Sequence, residues 1–429
     1  MPRRTRLLPA VAGLIALIAL VAPAMATWSI IVIDTQTREI AIGSATCLTN
    51  FDLLRGLPVV RVGVGAAAAQ SSVDSSGVNR RRINEGFIAG SDPEDILALL
   101  AATDPAHQTR QYGIVDVYGR AVTFTGSSAG RYASGLVRRS GALVYAIQGN
   151  VITGQPVLDE AEAALLNTPG GLPEKLMAAM EAARAMGGDG RCSCSPANPP
   201  GCGSPPPSFV KSAHIGFMVV ARRGDIDGSC STLGCATGTY YMRFNVAFQQ
   251  QSSPDPVIQL RQQFDAWRAG LNNVPDQIES QVTMSATRML DSAVVPVTMD
   301  IELRDWRGEV VNTTQPIEIS HDSDSAGGAT ISEVEVLGGG RYRATLTPAT
   351  AVGIDRFAVT FASGFQTRYL LPVPTLHVQD HRADLTHDGV VDLADLEIVL
   401  AAYGRTSAGD TNGDGATSIA DLVLVLGNL

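Results

Sequence analysis

The chain has 429 residues, which at roughly 150 residues per domain suggests about three folded units. Hydrophobic residues make up 45% of it and charged residues 17%, so it contains enough apolar material for buried cores, and bulk disorder is excluded. The formal net charge is −10 and the sequence has no basic stripe. These features argue against nucleic acid and anionic membrane surfaces as partners.

Residues 1–26 have the pattern of a secretory signal peptide. Three arginines precede an apolar run from residue 7 to residue 22, and Ala24-Met25-Ala26 has the small-x-small form of a cleavage site. The run is shorter than the ~20 residues that a membrane span needs, which favours cleavage over an uncleaved anchor helix. We therefore expect a secreted, periplasmic or cell-surface protein with no membrane span after cleavage.

Residues 27–271 alternate β-type and helical patterns. The first two runs, 28–33 and 40–45, flank a polar turn and predict a β-hairpin. The pattern then shows an apolar stretch at 59–69. It predicts further strands at 111–117, 121–124, 143–147, 215–221 and 240–247, and helices at 78–89, 93–102, 156–166 and 173–186. Because strands are followed by helices and then by strands again, the pattern indicates a layered α+β domain rather than a doubly wound one.

A Cys-rich insertion interrupts this domain at 191–210. Its segment CSCSPANPPGCGSPPPSF is too rich in Pro and Gly for regular structure and predicts a surface loop. All six cysteines follow the cleavage site, and an even count in an oxidising compartment favours disulfides. Cys230 and Cys235 are expected to close a small loop, whereas Cys47 has no evident partner. Zinc is the alternative ligand for the Cys-x-Cys pair, although no histidine is adjacent at ligand spacing.

From 272 to 379 the pattern changes to short alternating strands. Apolar residues alternate over 295–303, and turns are predicted at DWRG (305–308) and GGG (338–340). This spacing of strands and turns predicts a β-sandwich. The stretches IELRDWRGEVV and GGGRYRATLTP resemble bacterial immunoglobulin-like modules, which implies a spacer or adhesive module.

Residues 380–429 contain two 12-residue loops, DLTHDGVVDLAD and DTNGDGATSIAD, each with glycine at position 6. Calcium binds in loops of this kind through oxygens at positions 1, 3, 5, 7, 9 and 12. Two calcium ions are therefore expected; the alternative is a pair of acidic turns without metal. The candidate ligands are Asp384, Thr386, Asp388, the carbonyl of Val390, Asp392 and Asp395 in the first loop, and Asp410, Asn412, Asp414, the carbonyl of Ala416, Ser418 and Asp421 in the second.

Each loop ends in Asp and is followed by one apolar helix, predicted at 396–402 and 422–426. This duplicated loop and helix resembles the type I dockerin repeat, a relative of the EF-hand. The resemblance implies a small α-helical domain, calcium-dependent folding and docking onto a cohesin-like protein, with glycan-degrading assemblies as the best-known setting. Thr386 departs from the usual Asn or Asp, so the first loop is expected to bind calcium more weakly.

Cleavage after Ala26 would make Thr27 the first residue of the mature chain. A free N-terminal threonine supplies both nucleophile and base, because its α-amine has an unperturbed pKa of ~7.7 to 8.0 and lies within hydrogen-bond reach of its own hydroxyl. The following sequence, TWSIIVIDTQTREIAIGSA, resembles the opening of the domain-of-unknown-function family 1028. The resemblance continues through GVGAAAAQ, DPAHQTRQYGIVDVYGRAVTFTG, YAIQGN and GGDG to PDPVIQLRQQF at 254–264. It implies a four-layer αββα fold like that of N-terminal-nucleophile hydrolases.

The resemblance implies a reaction type, and the residues themselves offer candidates for individual roles. Thr27 is the candidate nucleophile and base, and Asn150 and Gln148 are candidates to donate hydrogen bonds to a tetrahedral oxyanion. The alternative for both amides is a structural role in a turn. Asp189 is a candidate to orient the Thr27 amine, or else an ordinary turn residue. The family's basic GGDRRG stretch is interrupted here by the insertion, which is expected either to cover the site or to abolish activity.

The sequence as a whole predicts a secreted amidohydrolase of N-terminal-nucleophile type, tethered through a calcium-dependent dockerin-like tail. One alternative is a catalytically inactive scaffold or binding protein of the same fold. A glycan-degrading enzyme is less favoured, because no pair of carboxylates stands out within 27–268. Ser44, Thr46 and Gln70 are further candidates to line the cleft, and the substrate is expected to be a small molecule or a peptide.

Overall fold

The computed structural model describes residues 27–348 and 351–429, so the predicted signal peptide lies outside the described residues. Within these ranges, no helix is long and apolar enough to cross a membrane. Three groups of elements follow one another along the chain, and each has a hydrophobic core of its own.

The first group is α+β, as the sequence predicts, with two antiparallel sheets. The elements are β1 (Thr27–Asp34), β2 (Ile40–Thr46), α1 (Leu53–Gly56), β3 (Pro58–Arg61), β4 (Gly65–Ser71), α2 (Val78–Ala89), α3 (Pro93–Thr103), β5 (Arg110–Asp116), β6 (Ala121–Thr125), β7 (Ala133–Ser140), β8 (Leu143–Asn150), α4 (Pro156–Asn167), α5 (Leu172–Ala185), α6 (Gly190–Ser193), β9 (Ile215–Ala221), β10 (Met242–Val246) and α7 (Pro256–Ala269). One sheet has six strands in the order β10-β9-β2-β1-β8-β7, and the other has four in the order β3-β4-β5-β6.

The alternation of side chains along β1 explains how these elements pack. Successive residues of a strand point to opposite faces. Trp28 and Ile30 lie in a core that the six-stranded sheet forms with α4, α5 and α7. Ile31 and Ile33 lie in a second core, between the two sheets. Helices α2 and α3 cover the outer face of the four-stranded sheet, so the layers run helix, sheet, sheet, helix.

The apolar stretch 59–69 is not one element. It forms the antiparallel strands β3 and β4, because the chain turns at Gly63, which has a φ of 68°. Val64 N–H donates to the Arg61 carbonyl at 3.0 Å and closes this tight turn. Strand β7, which the sequence analysis missed, is a half-exposed edge strand whose pattern is only weakly alternating.

The second group is β-rich. Two sheets enclose one core, with strand orders β11-β13-β17-β15, to which β16 adds at β17, and β12-β20-β18-β14, to which β19 adds at β18. The strands are β11 (Gln281–Met284), β12 (Arg288–Leu290), β13 (Val297–Glu302), β14 (Ile317–His321), β15 (Thr330–Ile331), β16 (Glu335–Gly338), β17 (Arg341–Thr347), β18 (Gly353–Ser363), β19 (Gln366–Tyr369) and β20 (Thr375–Gln379).

Arginine side chains join the first and second groups. Arg222 is 2% exposed and pairs with Glu39 at 2.6 Å and with Asp276 at 2.9 Å. Next to it, both terminal nitrogens of Arg223 donate to the Asp322 carboxylate at 2.7 Å. Because Asp276 and Asp322 belong to the β-rich group, these charged hydrogen bonds cross the junction.

The third group consists of two ten-residue helices, α8 (Leu393–Ala402) and α9 (Ile419–Asn428), each preceded by an acidic loop. Both helices begin at a capping box, so they start earlier than the apolar residues alone predict. The group rests on the end of β20. The Gln379 side-chain amide donates to the Val391 and Asn428 carbonyls, and the Arg288 guanidinium donates to the Val391 and Leu429 carbonyls.

Candidate functional site

Thr27 is the first residue of β1, a central strand of the six-stranded sheet. It lies opposite Thr46 at the end of β2 and opposite Asn150 at the end of β8. It shares the strand face of Ile31 and Ile33, which faces the four-stranded sheet. Thr27 is 2% exposed. The fold therefore places the candidate nucleophile at one end of the space between the two sheets.

Polar side chains replace the apolar core at this end of the sheets. Gln70, on β4, donates from Nε2 to the Thr27 carbonyl at 3.0 Å and to Gln111 Oε1 at 2.8 Å. Gln111, on β5, donates in turn to the Gly149 carbonyl at 3.1 Å. Both glutamine side chains are fully buried. They connect the two sheets and hold the backbone of Thr27 and that of the neighbouring strand β8.

The two candidate oxyanion donors take different places in this layer. Asn150 is opposite Thr27, and its Nδ2 donates to the Ala129 carbonyl at 2.9 Å and to Ser71 Oγ at 3.2 Å. Gln148 is opposite Ser29, two residues farther from the strand end than Asn150, and its Oε1 accepts a hydrogen bond from Thr123 Oγ1 at 3.0 Å. The structure thus brings Asn150 beside the candidate nucleophile and places Gln148 farther inside.

Asp189 is fully buried and holds two parts of the site end together. Its Oδ2 accepts from Cys47 N–H at 2.6 Å and from Arg191 Nη2 at 2.8 Å. Its Oδ1 accepts from the backbone N–H of Arg191 at 3.0 Å and caps α6. Burial raises the pKa of Asp189, while Arg191 and these hydrogen bonds oppose the rise. The Asp189 carboxylate thus bonds Arg191 and Cys47, and Arg191 also donates to Thr46 Oγ1 at 3.4 Å.

The Cys-rich insertion lies over the same end of the sheets. Cys47 and Cys192 form a disulfide that ties the end of β2 to the insertion, and Cys194–Cys202 closes a loop within it. Thr153 Oγ1, just after β8, donates to Ser204 Oγ at 3.2 Å. The prediction that disulfides staple the insertion is confirmed, as is the Cys230–Cys235 pair.

Strained backbone is concentrated at this end of the first group. Ser71 follows Gln70 with a φ of 76°, and Val151 follows Asn150 with a φ of 54°. Asn50 and Phe248, in loops after β2 and β10, have φ values of 53° and 56°. A positive φ is unfavourable for bulky or β-branched residues, and such strain gathers at functional sites. The strain supports a functional role for the region around Thr27.

Comparison with known families gives a direct match for this part of the chain. The model of the family of unknown function DUF1028 matches residues 27–197. Residues 27–197 are a DUF1028 domain. The match begins at Thr27 and ends inside the insertion, so β9 and β10 complete the six-stranded sheet from outside the matched range.

Solved structures with similarity to the chain include a DUF1028-family protein and bacterial adhesins. The DUF1028-family protein from Silicibacter pomeroyi is 19% identical, with a TM-score of 0.40, over 56% of this chain and 88% of its own. The Escherichia coli adhesin FdeC is 11% identical, with a TM-score of 0.22, over 63% of this chain and 58% of its own. The Yersinia pseudotuberculosis adhesin InvE is 21% identical, with a TM-score of 0.20, over 24% of this chain and 26% of its own. No curated protein matches the chain.

Sequence reasoning missed two side chains near Thr46. Arg191 lies between Asp189 and Thr46, as described above. His214 donates its backbone N–H to the Thr46 carbonyl at 2.9 Å, and its ring lies beside the Cys47–Cys192 disulfide. Burial and the nearby cations lower the pKa of His214. Arg191 is the first residue of the insertion and His214 follows its end, and only the folded chain places them beside the DUF1028 strands.

The two acidic loops of the third group have matching geometry. In the first loop, Asp384 Oδ2 accepts the backbone N–H of Gly389 at 3.0 Å. In the second, Asp410 Oδ2 accepts that of Gly415 at 2.7 Å. These are positions 1 and 6 in both loops, and both glycines have positive φ. The repeat in the sequence is therefore a repeat in the backbone as well.

The position-12 carboxylates, Asp395 and Asp421, are fully buried. Each accepts backbone N–H groups from position 3 and position 9 of its own loop. In the part of the chain that the structure describes, neither loop gathers three His, Cys, Asp or Glu ligand atoms within 4.8 Å. Two clusters of this kind lie elsewhere in the described residues. One is Cys47, Cys192 and His214, in which the two cysteines form a disulfide, and the other is Asp291, Asp380 and His381.

Proposed function

We propose that residues 27–271 are an amidohydrolase of N-terminal-nucleophile type, active once cleavage after Ala26 frees the amine of Thr27. The observation that carries the proposal is the place of Thr27, which begins a central strand and faces a buried polar layer between two sheets. The order of helix, sheet, sheet and helix is the one expected of such hydrolases, and it supports the proposal.

In the proposed reaction, Thr27 Oγ1 attacks the carbonyl carbon of an amide. The hydroxyl proton passes to the α-amine of the same residue, and the carbonyl oxygen becomes a tetrahedral oxyanion. Asn150, opposite Thr27, is the nearer candidate donor to that oxyanion; to donate, its Nδ2 would give up the hydrogen bond to Ser71 Oγ. The protonated α-amine then gives its proton to the leaving nitrogen as the C–N bond breaks, and water releases the acyl group from Thr27.

Two measurements test this function. Sequencing the N-terminus of secreted protein should give Thr27 as the first residue, because any other start leaves no free threonine amine. Turnover of amide and ester probes should then be abolished by Thr27→Ala and retained, at a lower rate, by Thr27→Ser, which keeps a hydroxyl. Full activity in Thr27→Ala would assign the chemistry to other residues.

A catalytically inactive scaffold of the same fold is the second candidate. It is favoured by the insertion that lies over this end of the sheets. A protein that starts at Thr27 but turns over none of a broad panel of amide probes would support the scaffold.

We further propose that residues 380–429 are a dockerin-like module that binds two calcium ions and docks onto a cohesin-like protein. The support is the matched geometry of two loops whose donors are all hard oxygens, the ligands that calcium prefers. Calcium would neutralise the acidic loops and stabilise the module against their mutual repulsion. Docking itself is testable by pull-down on an immobilised cohesin with and without chelator.

Calorimetry on the full chain tests the ions directly. Two calcium ions should bind, and Asp388→Ala and Asp414→Ala should each remove one, because each deletes a position-5 carboxylate. Asp388→Ala should be the milder loss, since Thr386 already weakens the first loop. Glu397→Ala, outside the ligand positions, is the control. Absence of calcium binding to the unaltered chain would leave the loops as ordinary solvated turns.

A further inference from the structure

We propose that Cys47, Cys192 and His214 form a Zn²⁺ site that becomes available when the Cys47–Cys192 disulfide is reduced. A dithiol supplies two electrons and two protons, leaves as its own disulfide and converts the two cysteines to thiols. Zinc then displaces the two thiol protons and binds both sulfurs and one ring nitrogen of His214. This site depends neither on the proposed nucleophile nor on the calcium loops.

The three ligand atoms already lie together in the oxidised protein. A ring nitrogen of His214 and the two sulfurs are all within 4.8 Å of one another. A tetrahedral zinc site has zinc–sulfur distances of about 2.3 Å and zinc–nitrogen distances of about 2.0 Å, which place neighbouring ligand atoms about 3.5–3.8 Å apart. Small side-chain rotations are therefore enough to reach this geometry once the sulfurs are no longer bonded to each other.

His214 is fixed in position, but its ring has an unused nitrogen. Its backbone N–H donates to the Thr46 carbonyl at 2.9 Å, at the end of β2. The residue is 7% exposed, and its Nδ1 is buried without a hydrogen-bond partner among the described residues. A buried polar atom without a partner is costly and calls for an ion or a water. Among cations, zinc suits an imidazole beside two thiolates.

The other two disulfides lack this arrangement. In the part of the chain that the structure describes, neither Cys194–Cys202 nor Cys230–Cys235 has a third ligand atom within the same distance. Cys47 and Cys192 are both half-buried, so a reductant can reach the bond between them. The combination of an accessible disulfide and an adjacent histidine therefore distinguishes this pair from the other two.

The charges around the cluster are compatible with a loaded site. Arg191 and Lys211 both act on the His214 ring, and Asp189 pairs with Arg191 at 2.8 Å. Positive charge nearby stabilises a thiolate relative to a thiol. Zinc bound by two thiolates and a neutral imidazole adds no net charge, so these cations do not oppose it. Three protein ligands leave the fourth position for water.

Zinc would keep the insertion attached to the six-stranded sheet in a reduced protein. The disulfide ties the end of β2 to the insertion. The metal would join the same two cysteines and add His214, which directly precedes β9. The cross-link beside Thr46 is then preserved in either redox state, through sulfur alone or through the metal.

Co²⁺ is the probe, because binding by thiolates gives it a characteristic charge-transfer absorption. The full mature chain carries Cys194→Ala, Cys202→Ala, Cys230→Ala and Cys235→Ala, is reduced with a phosphine and is kept in excess calcium, which occupies the acidic loops. Reduced protein should bind one Co²⁺ with this absorption, zinc should displace it, and oxidised protein should show none. His214→Ala should weaken zinc binding at least about tenfold. His381→Ala, in the other cluster of ligand atoms, should leave it unchanged.

If the variant with four alanines does not fold, as judged by circular dichroism, alkylation of the reduced wild-type protein replaces it. Zinc should protect Cys47 and Cys192 from alkylation, as located by mass spectrometry, and His214→Ala should remove the protection. Cys230 and Cys235 should react equally with and without zinc. Absence of the thiolate absorption in folded, reduced protein, equal zinc affinity in His214→Ala, or equal protection of Cys230 and Cys235 would overturn the inference.

Discussion

Removal of the Cys47–Cys192 disulfide should cost the first group much of its stability. The disulfide joins residues that are 145 apart in sequence, from the end of β2 to the insertion. A cross-link stabilises mainly by restricting the unfolded chain, and a loop of this length corresponds to about 5 kcal/mol in the free energy of unfolding. The Cys194–Cys202 disulfide spans only 8 residues and corresponds to about 2.5 kcal/mol.

The two double variants Cys47→Ala/Cys192→Ala and Cys194→Ala/Cys202→Ala make a matched pair, since each removes one disulfide of the same insertion. Their free energies of unfolding are obtained from urea titrations followed by circular dichroism and by tryptophan fluorescence. We expect the first variant to lose about twice as much as the second. The first should also lose more turnover, because Cys47 N–H and Arg191 both bind Asp189.

Equal losses in the two variants, or a larger loss in the Cys194→Ala/Cys202→Ala protein, would refute the argument from loop length. Such a result would mean that local contacts of the insertion, and not the long loop, account for the stabilisation.

Two further predictions concern the junction between the first and second groups. Arg222→Met should lower the free energy of unfolding by about 3–5 kcal/mol, because Glu39 and Asp276 would stay buried without their cation; an unchanged urea midpoint would contradict this. The Arg223 guanidinium lowers the pKa of Asp322. At pH values above the ordinary aspartate pKa, the ionised carboxylate therefore stabilises the folded state. This stabilisation is lost as the pH falls through the lowered pKa. The stability difference between wild type and Asp322→Asn, measured by urea unfolding at a series of pH values, should therefore shrink toward zero in acid, and a difference independent of pH would count against the pair.

Local patterns in the sequence predicted many elements of the first group. The apolar runs 28–33 and 40–45 on either side of a polar turn predicted the hairpin of β1 and β2, and the helix predicted at 93–102 is α3, which has Asp92 as its N-cap. The stretch 59–69 was predicted as one element, because Gly63 bends a chain whose flanks are equally apolar. A turn that depends on one backbone angle leaves little trace in a hydrophobic pattern.

The candidate site could be predicted only in part. The sequence pointed to Thr27 and Asn150, which strand pairing then placed opposite each other. It gave no reason to connect Gln70 with Gln111, because they lie on different strands of the second sheet and meet only where that sheet faces Thr27. Contacts between distant segments depend on the packing of the sheets, which a single sequence does not encode in any local pattern.

The seating of the tail on Gln379 and Arg288 affects how a docked protein would be presented. A module on a flexible linker samples a volume set by the linker's length, and its effective concentration at a surface falls as that length grows. Here the tail begins one residue after β20, and the Arg222 and Arg223 pairs hold the other junction. If a cohesin-like protein binds the tail as proposed, it would hold the Thr27 end in one orientation and at one distance from the attachment point. The location of that partner would then decide which molecules the Thr27 end can meet.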